Sequence, residues 1–145
     1  MYRHILLATD LVRTGKGVAH RASELARQFG AKLSIVYVIE PFSTYGLPLM
    51  VDVGTANVKH AKQLMIELGR ELQVPASDQH VETGSPKKEI LKLADVLAVD
   101  LIIVGDQGRV GLSRLLGSTA MAVLHDSHCD VMLQKSRSNG ETKVQ

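Results

Sequence analysis

The residues best suited to chemistry stand together in the segment Val104-Gly105-Asp106-Gln107-Gly108-Arg109-Val110-Gly111-Leu112-Ser113-Arg114-Leu115-Leu116-Gly117-Ser118-Thr119. It follows an apolar run and leads into a stretch of helical character. Glycines let main-chain amides approach an anion closely, and the first turn of a helix presents unpaired N–H groups at the positive end of its dipole. Phosphate is the guest such a segment suits. Ser118 and Thr119 add hydroxyl donors, and Arg109 and Arg114 add positive charge. The same glycines also read as a strand end, two turns and a helix cap with no ligand at all. The segment is neither a Walker loop, because no Gly-Lys-Ser/Thr triplet occurs, nor a Rossmann fingerprint, because it follows the fourth apolar run rather than the first.

A second candidate is the group His125, His128 and Cys129, which invites a zinc reading because imidazole and thiolate are good zinc ligands. Three ligands crowded into five residues, with no distant fourth, make a poor site. The favoured reading places the two histidines at the negative end of a helix and makes Cys129 a small buried apolar residue. No Ser/His/Asp arrangement has a recognisable local context, and Asp95 and Asp100 read as solvated or turn residues flanking the fourth strand.

The elements that must position these residues are legible as an alternation. Apolar runs at Ile5–Thr9, Leu33–Ile39, Gln79–Thr83 (weakly), Leu101–Gly105 and Val131–Leu133 predict five strands. Between them, Val18, Ala22, Leu25, Ala26 and Phe29 share one helical face, with Gly30 as terminator. Val58, Ala61, Leu64, Met65, Leu68 and Leu72 form a second such face, closed by Pro75. A third helix opens at Ser85-Pro86 and turns Ile90, Leu93, Ala94 and Leu97 inward. A fourth runs from about Gly117 to His125, with Met121, Val123 and Leu124 as its apolar side.

Runs one, two and four are almost continuously apolar, as parallel strands covered on both faces are. Right-handed crossovers then give an α/β three-layer sandwich: a five-stranded parallel sheet of order 3-2-1-4-5 with two helices on each face. Its switch in strand order falls at the first strand, so ligands are expected just beyond Thr9, Val38 and Gly105. Pro41 to Gly54 reads as a loop, a lid or a mobile segment. We expect one domain over 1–136 and a disordered polar tail over 137–145.

Bulk properties narrow the function. The chain has 145 residues, 45% of them hydrophobic, and a net charge of +2, which supplies no broad field for unspecific nucleic-acid binding. Cys129 is the single cysteine, which excludes an internal disulfide framework. Neither a signal segment nor a membrane span is read from the apolar runs, so a cytoplasmic location is expected, with no membrane partner.

Taken together, these motifs resemble the universal stress protein family. Gly105-x2-Gly108 followed by Gly117-Ser118-Thr119 is similar to its nucleotide-binding signature. Arg3-His4-Ile5-Leu6-Leu7-Ala8-Thr9-Asp10 is similar to its first strand with the terminal aspartate. Val36-Tyr37-Val38, Thr83-Gly84-Ser85-Pro86 and Cys129-Asp130-Val131-Met132 match further strand and helix boundaries, and the resemblance spans about residues 2 to 135. It implies ATP as cofactor, with Mg²⁺ accompanying the phosphates. It also implies Asp10 near the ribose, Ala8 and Thr9 beside adenine, and Val38 contacting adenine through its main chain. Gly105 and Gly108 would then line ribose and phosphates, with Gly117, Ser118 and Thr119 holding the phosphates and Arg109 nearby. In the ATP-binding members one more residue separates Gly108 from Gly117 than here, and the family includes members that bind no ATP. The resemblance further implies a stress-response regulator with slow hydrolysis at most, and a homodimer paired through the last strand, Asp130 to Gln134. The alternatives are a member that binds no nucleotide and works through protein contacts, and an adenylating enzyme. The latter needs a serine- and glycine-rich loop after the first strand, which Thr9-Asp10-Leu11-Val12-Arg13-Thr14-Gly15 lacks.

Overall fold

The computed structural model describes residues 1–11, 15–41, 51–105 and 117–135. Its strands are β1 (His4–Ala8), β2 (Lys32–Ile39), β3 (Gln79–Thr83), β4 (Leu101–Gly105) and β5 (Asp130–Gln134). Its helices are α1 (Gly15–Phe29), α2 (Val51–Leu72), α3 (Pro86–Leu97) and α4 (Ser118–Asp126), with a short 3-10 turn over Ala76–Asp78. The strands form one parallel sheet in the order β3-β2-β1-β4-β5. This is the expected order, and it is compatible with right-handed crossovers.

Alternate residues of each strand point to opposite faces, and the two faces are filled separately. On one, Ile5, Leu7, Leu33, Ile35, Leu101 and Ile103 meet Val18, Ala22 and Ala26 of α1 and Met65, Leu68 and Leu72 of α2. On the other, Leu6, Val36, Ile102 and Val104 meet Ile90 and Ala94 of α3 and Ala120 and Val123 of α4. Each face thus carries two helices. The centre of the sheet is fully dry: Ile5, Leu6, Leu7, Ile102 and Ile103 have no exposed surface. That explains why these strands read as unbroken apolar runs rather than alternating ones.

Several local signals act as their chemistry dictates. Gly30 ends α1 in the left-handed conformation (φ 64°), and its N–H reaches the Arg27 carbonyl at 3.1 Å. Ser85 is the N-cap of α3 with Pro86 in the first turn, although the serine side chain makes no capping bond. Three expectations need correction. First, α2 begins at Val51, so Gly54 lies inside a helix instead of closing a loop; a glycine costs a helix about 1 kcal/mol but does not forbid it. Positions 42–50 of that expected loop, and the expected tail over 137–145, lie outside the described residues. Second, Val123 is buried on α4 but Met121 and Leu124 are 50% and 53% exposed. Only Ala120 and Val123, three apart on this short helix, face the sheet.

Asp100, half-buried at the bend before β4 as expected, also ties that strand to β1. Its carboxylate accepts the main-chain N–H groups of Arg3 (2.9 Å) and His4 (3.0 Å), and its own N–H donates to the His4 carbonyl at 3.0 Å. It pins the start of β1 to the start of β4. Burial disfavours its charge, but the donors from Arg3, His4 and its own main chain outweigh that and hold its pKa below the ordinary carboxylate value. Third, Cys129, expected buried, is half-buried against the α3/α4 side of the core.

Candidate functional site

Parallel strands expose their carboxyl ends on one edge of the sheet, and at β1 the chain order reverses: β2 lies on one side and β4 on the other. The helices that follow β1 and β4 pack on opposite faces of the sheet, and in sheets of this kind ligands bind beside such a reversal. Ala8 sits at this point, paired with Val36 on one side and Val104 on the other.

The exit of β1 is shaped by Thr9. Its N–H continues the ladder to the Val36 carbonyl at 2.9 Å, and its Oγ1 accepts the Leu11 N–H at 3.1 Å. This hydroxyl-to-backbone turn bends the chain away from the sheet, with Leu11 in the left-handed region at φ 61° and packed against the α1/α2 side of the core. Asp10 is therefore carried, half-buried, on the bend between β1 and α1. Since Ala8 is opposite Val36, Val38 extends β2 alongside positions 9 and 10. Val38 is half-buried and packs with Ala8 against the α3/α4 side of the core.

Gly105 closes β4, in register with Gln134 of β5. A methyl added to it would stand 3.7 Å from Val18 Cγ2, an ordinary contact, and its φ is not positive. Gly117 is the N-cap of α4 with φ −58° and ψ 146°, and a methyl added there would meet nothing within 4 Å among the described residues. Among the described residues, neither packing nor backbone conformation requires glycine at either position. The contrast with Gly84 is direct. There φ is 149° and a methyl would fall 3.2 Å from Glu89 Cγ, so the fold itself demands glycine.

The first turn of α4 holds Ser118 (exposed) and Thr119 (half-buried), carries no acidic residue, and receives no side-chain capping bond from position 117. Among the described residues no side chain caps its leading amides, which lie at the positive end of the helix dipole. The structure brings Ala8, Thr9, Asp10, Val38 and Gly105 to the strand-exit edge, and places Gly117, Ser118 and Thr119 at the start of the helix that covers β4 and β5. Gly108, Arg109 and Arg114 lie outside the described residues.

The histidine cluster at the far end of α4 disperses. His125 Nδ1 pairs with Asp126 at 2.7 Å, and His128 Nδ1 pairs with Asp95 at 3.4 Å. Among the described residues, no group of three or more His, Cys, Asp or Glu side chains is placed to hold a metal ion. Reasoning from sequence misses Gln134. It is 6% exposed beside Gly105, with its Nε2 on Met132 Sδ at 3.7 Å and its Oε1 without a partner among the described residues. Its signal is a polar residue ending the apolar run Val131-Met132-Leu133.

A doubly wound parallel α/β domain whose strand order reverses at β1 is the class these features define. The match to the universal stress protein family extends over residues 1–135, and the chain belongs to that family. It is similar to universal stress protein A homolog 1 of Coxiella burnetii, with 38% identity over 136 residues covering 90% of this chain and 94% of the relative. It is also similar to universal stress protein MJ0531 of Methanocaldococcus jannaschii, with 30% identity covering 93% and 83% of the two chains. Among solved structures, UspA from Lactobacillus plantarum shares the fold with a TM-score of 0.77 at 24% identity, covering 94% and 98% of the two chains. A universal stress protein in complex with cAMP does so with a TM-score of 0.70 at 23% identity, covering 94% and 98%.

Proposed function

We propose that this universal stress protein binds an adenine nucleotide, ATP in the first instance, in the crevice at the strand exits and acts as a stress-response regulator. The observation that carries the reading is the uncapped start of α4. Its N-cap glycine faces open space among the described residues, no acidic residue lies in its first turn, and two hydroxyl side chains follow. Glycine at positions 105 and 117 is unexplained by the packing of the described residues and is explained by the close approach of a ligand. In this reading Asp10 meets the ribose and Ala8, Thr9 and Val38 border the base. Gly105 and Gly108 line ribose and phosphates, while Gly117, Ser118 and Thr119, with Arg109, hold the phosphates. A family relative's structure with cAMP lends weight to an adenine ligand. Mg²⁺ would travel with the phosphates. Hydrolysis is slow in this reading, because no side chain is assigned as a general base.

The test is a titration of the purified chain with ATP and Mg²⁺, followed by calorimetry and thermal melting. Binding at one hundred times the dissociation constant adds about 2.7 kcal/mol to stability, an easily read rise in Tm. No heat and no melting shift at millimolar ligand would overturn the reading.

A second reading, in which protein contacts rather than a nucleotide carry the function, rests on the edge of the sheet. Among the described residues β5 pairs only with β4, and Val131, Met132 and Leu133 on it are half-buried. An edge strand offers unpaired main-chain groups to a second chain. Both readings carry a homodimer through Asp130–Gln134 in the cytoplasm, with no nucleic acid or membrane partner. Among the described residues no helix is long and apolar enough to cross a membrane. Light scattering checks the assembly: a monomer mass at tens of micromolar refutes it.

A further inference from the structure

From Ser118 to Leu124 the helix α4 carries no charged residue, although Ser118, Met121 and Leu124 are exposed. A surface helix ordinarily turns a polar face to solvent, and one that is apolar on several sides is covered there. Ala120 and Val123 meet the sheet, while Met121 and Leu124 stay 50% and 53% exposed. Successive residues of a helix are turned by about 100°, so Leu124 stands about 100° to one side of Val123 and Asp126 about 60° to the other. Asp126 pairs with Lys87 of α3, which fixes the side on which α3 lies. Leu124, with Met121 beside it, therefore points away from α3, over the flank where β5 ends the sheet.

On that flank β5 offers an open strand edge: among the described residues it pairs only with β4. Val131 and Leu133 lie on the α3/α4 face of the sheet and Met132 on the α1/α2 face, and by alternation Asp130 and Gln134 share the face of Met132. Two copies of one strand that pair with each other are related by a twofold axis. With the axis perpendicular to the sheet the strands run antiparallel and each side chain keeps its face, so only residues of like parity can stand opposite one another. Centring the axis on Met132 is the one register that pairs all five residues. Val131 then faces Leu133 and Asp130 faces the uncharged Gln134, so no like charges meet. The helix α4 bridges β4 and β5, about half a strand spacing inside β5, and the axis lies half a spacing outside it. Two such helices stand about 10 Å apart, a distance at which helices pack.

We propose that a second copy of this chain docks on this flank, its β5 antiparallel to the first with Met132 on the twofold axis, and that Met121 and Leu124 of the two α4 helices pack against each other across it. The interface rests on the homodimer reading above and adds to it a register and a second layer. Docking removes the apolar side chains that the fold leaves wet on α4 from water on both copies at once. An isolated peptide strand would satisfy the edge of β5 but leave Met121 and Leu124 exposed, so the pairing of edge and helix favours a copy of this chain.

Sedimentation of the full chain over a dilution series gives the dimer dissociation constant. The double variant Met121→Lys, Leu124→Lys should raise it by about a hundredfold or more, because like charges are brought together across the axis. Val96→Lys, at a 71% exposed position of α3 away from that flank, should leave it unchanged. In a Cys129→Ser background, Met132→Cys should form a disulfide between copies on mild oxidation, since facing residues stand about 4.5–5.5 Å apart at Cα. Val131→Cys and Leu133→Cys should not, each being about 7–8 Å from its own counterpart. A native dimer whose dissociation constant the lysine pair does not move, or crosslinking through Val131→Cys or Leu133→Cys in place of Met132→Cys, overturns this interface and leaves the homodimer reading standing. A native chain that stays monomeric at tens of micromolar overturns both. The lysines enter at exposed sites outside the core, and the crosslinking readout does not depend on them.

Discussion

Replacing Gly117 by aspartate sets the stability of α4 against the occupancy of its N-terminus. The position already has N-cap geometry, at φ −58° and ψ 146°, and its carbonyl accepts the Met121 N–H at 3.1 Å. A side chain there meets nothing within 4 Å among the described residues. Aspartate supplies the capping acceptor that glycine lacks, worth a few tenths of a kcal/mol over glycine. Its charge at the helix start adds about 0.3–1 kcal/mol. The few tenths already include glycine's freedom in the unfolded chain, so the variant is expected to be more stable by about 0.5–1 kcal/mol, a rise of a few degrees in Tm. The same carboxylate confronts a phosphate at the amides it caps. A unit charge about 4 Å from another at an effective dielectric of 20 costs about 4 kcal/mol, so ATP binding should weaken by at least a hundredfold. Melting of the free protein and calorimetric titration of both chains give the two numbers. Gly117→Ser, which caps without charge, should lose far less affinity. A Gly117→Asp chain that is stabilised yet binds ATP as tightly as the native one would remove the anion from the start of α4. A destabilised variant would refute the capping argument itself.

Two further outcomes follow from the carboxylates. Asp100→Ala leaves the main-chain donors of Arg3 and His4 without their acceptor and should cost about 1–3 kcal/mol in chemical denaturation, the range for hydrogen bonds to a charged group in a partly exposed setting. Because the Asp100 pKa is lowered on folding, its contribution is present above the ordinary 3.8 and is lost as pH falls through the folded value, a loss that Asp100→Ala should not show. Asp126, paired with Lys87 at 2.5 Å and His125 at 2.7 Å, should titrate at about 2 in a carboxyl-detected spectrum. Lys87→Met should return it toward 3.8, and an unchanged value would show that the α3–α4 ion pair is not what depresses it.

How far the sequence carries varies with the kind of contact. β4 has the bounds that its apolar run predicts, and the inward face of α3 is that of its 3.6-residue period; on α1 Val18, Ala22 and Ala26 turn inward as expected, but Ala19 joins them and Phe29 packs on Tyr2 instead. The strand order is the expected one and is consistent with parallel pairing and right-handed crossovers. Met121 and Leu124 escape such reasoning because a hydrophobic residue on a short helix is buried only if the sheet lies beneath it. Gly54 escapes it because the helix around it runs from Val51 to Leu72, long enough to absorb one unfavourable residue.

From its order of residues alone, this chain settles the strands and, apart from the start of α2, the helices, that the sheet is parallel, and at which strand its order reverses. Those depend on periodicity within a few residues and on chain handedness, both local properties. The tertiary structure decides that Asp100 anchors β1, that Thr9 bends the chain at the exit of β1, and that Ser34 stands between His4 and Asp78. These contacts depend on strand register and on main-chain geometry at strand ends. Neither is written in the identity of the residues until the sheet brings them within hydrogen-bond reach.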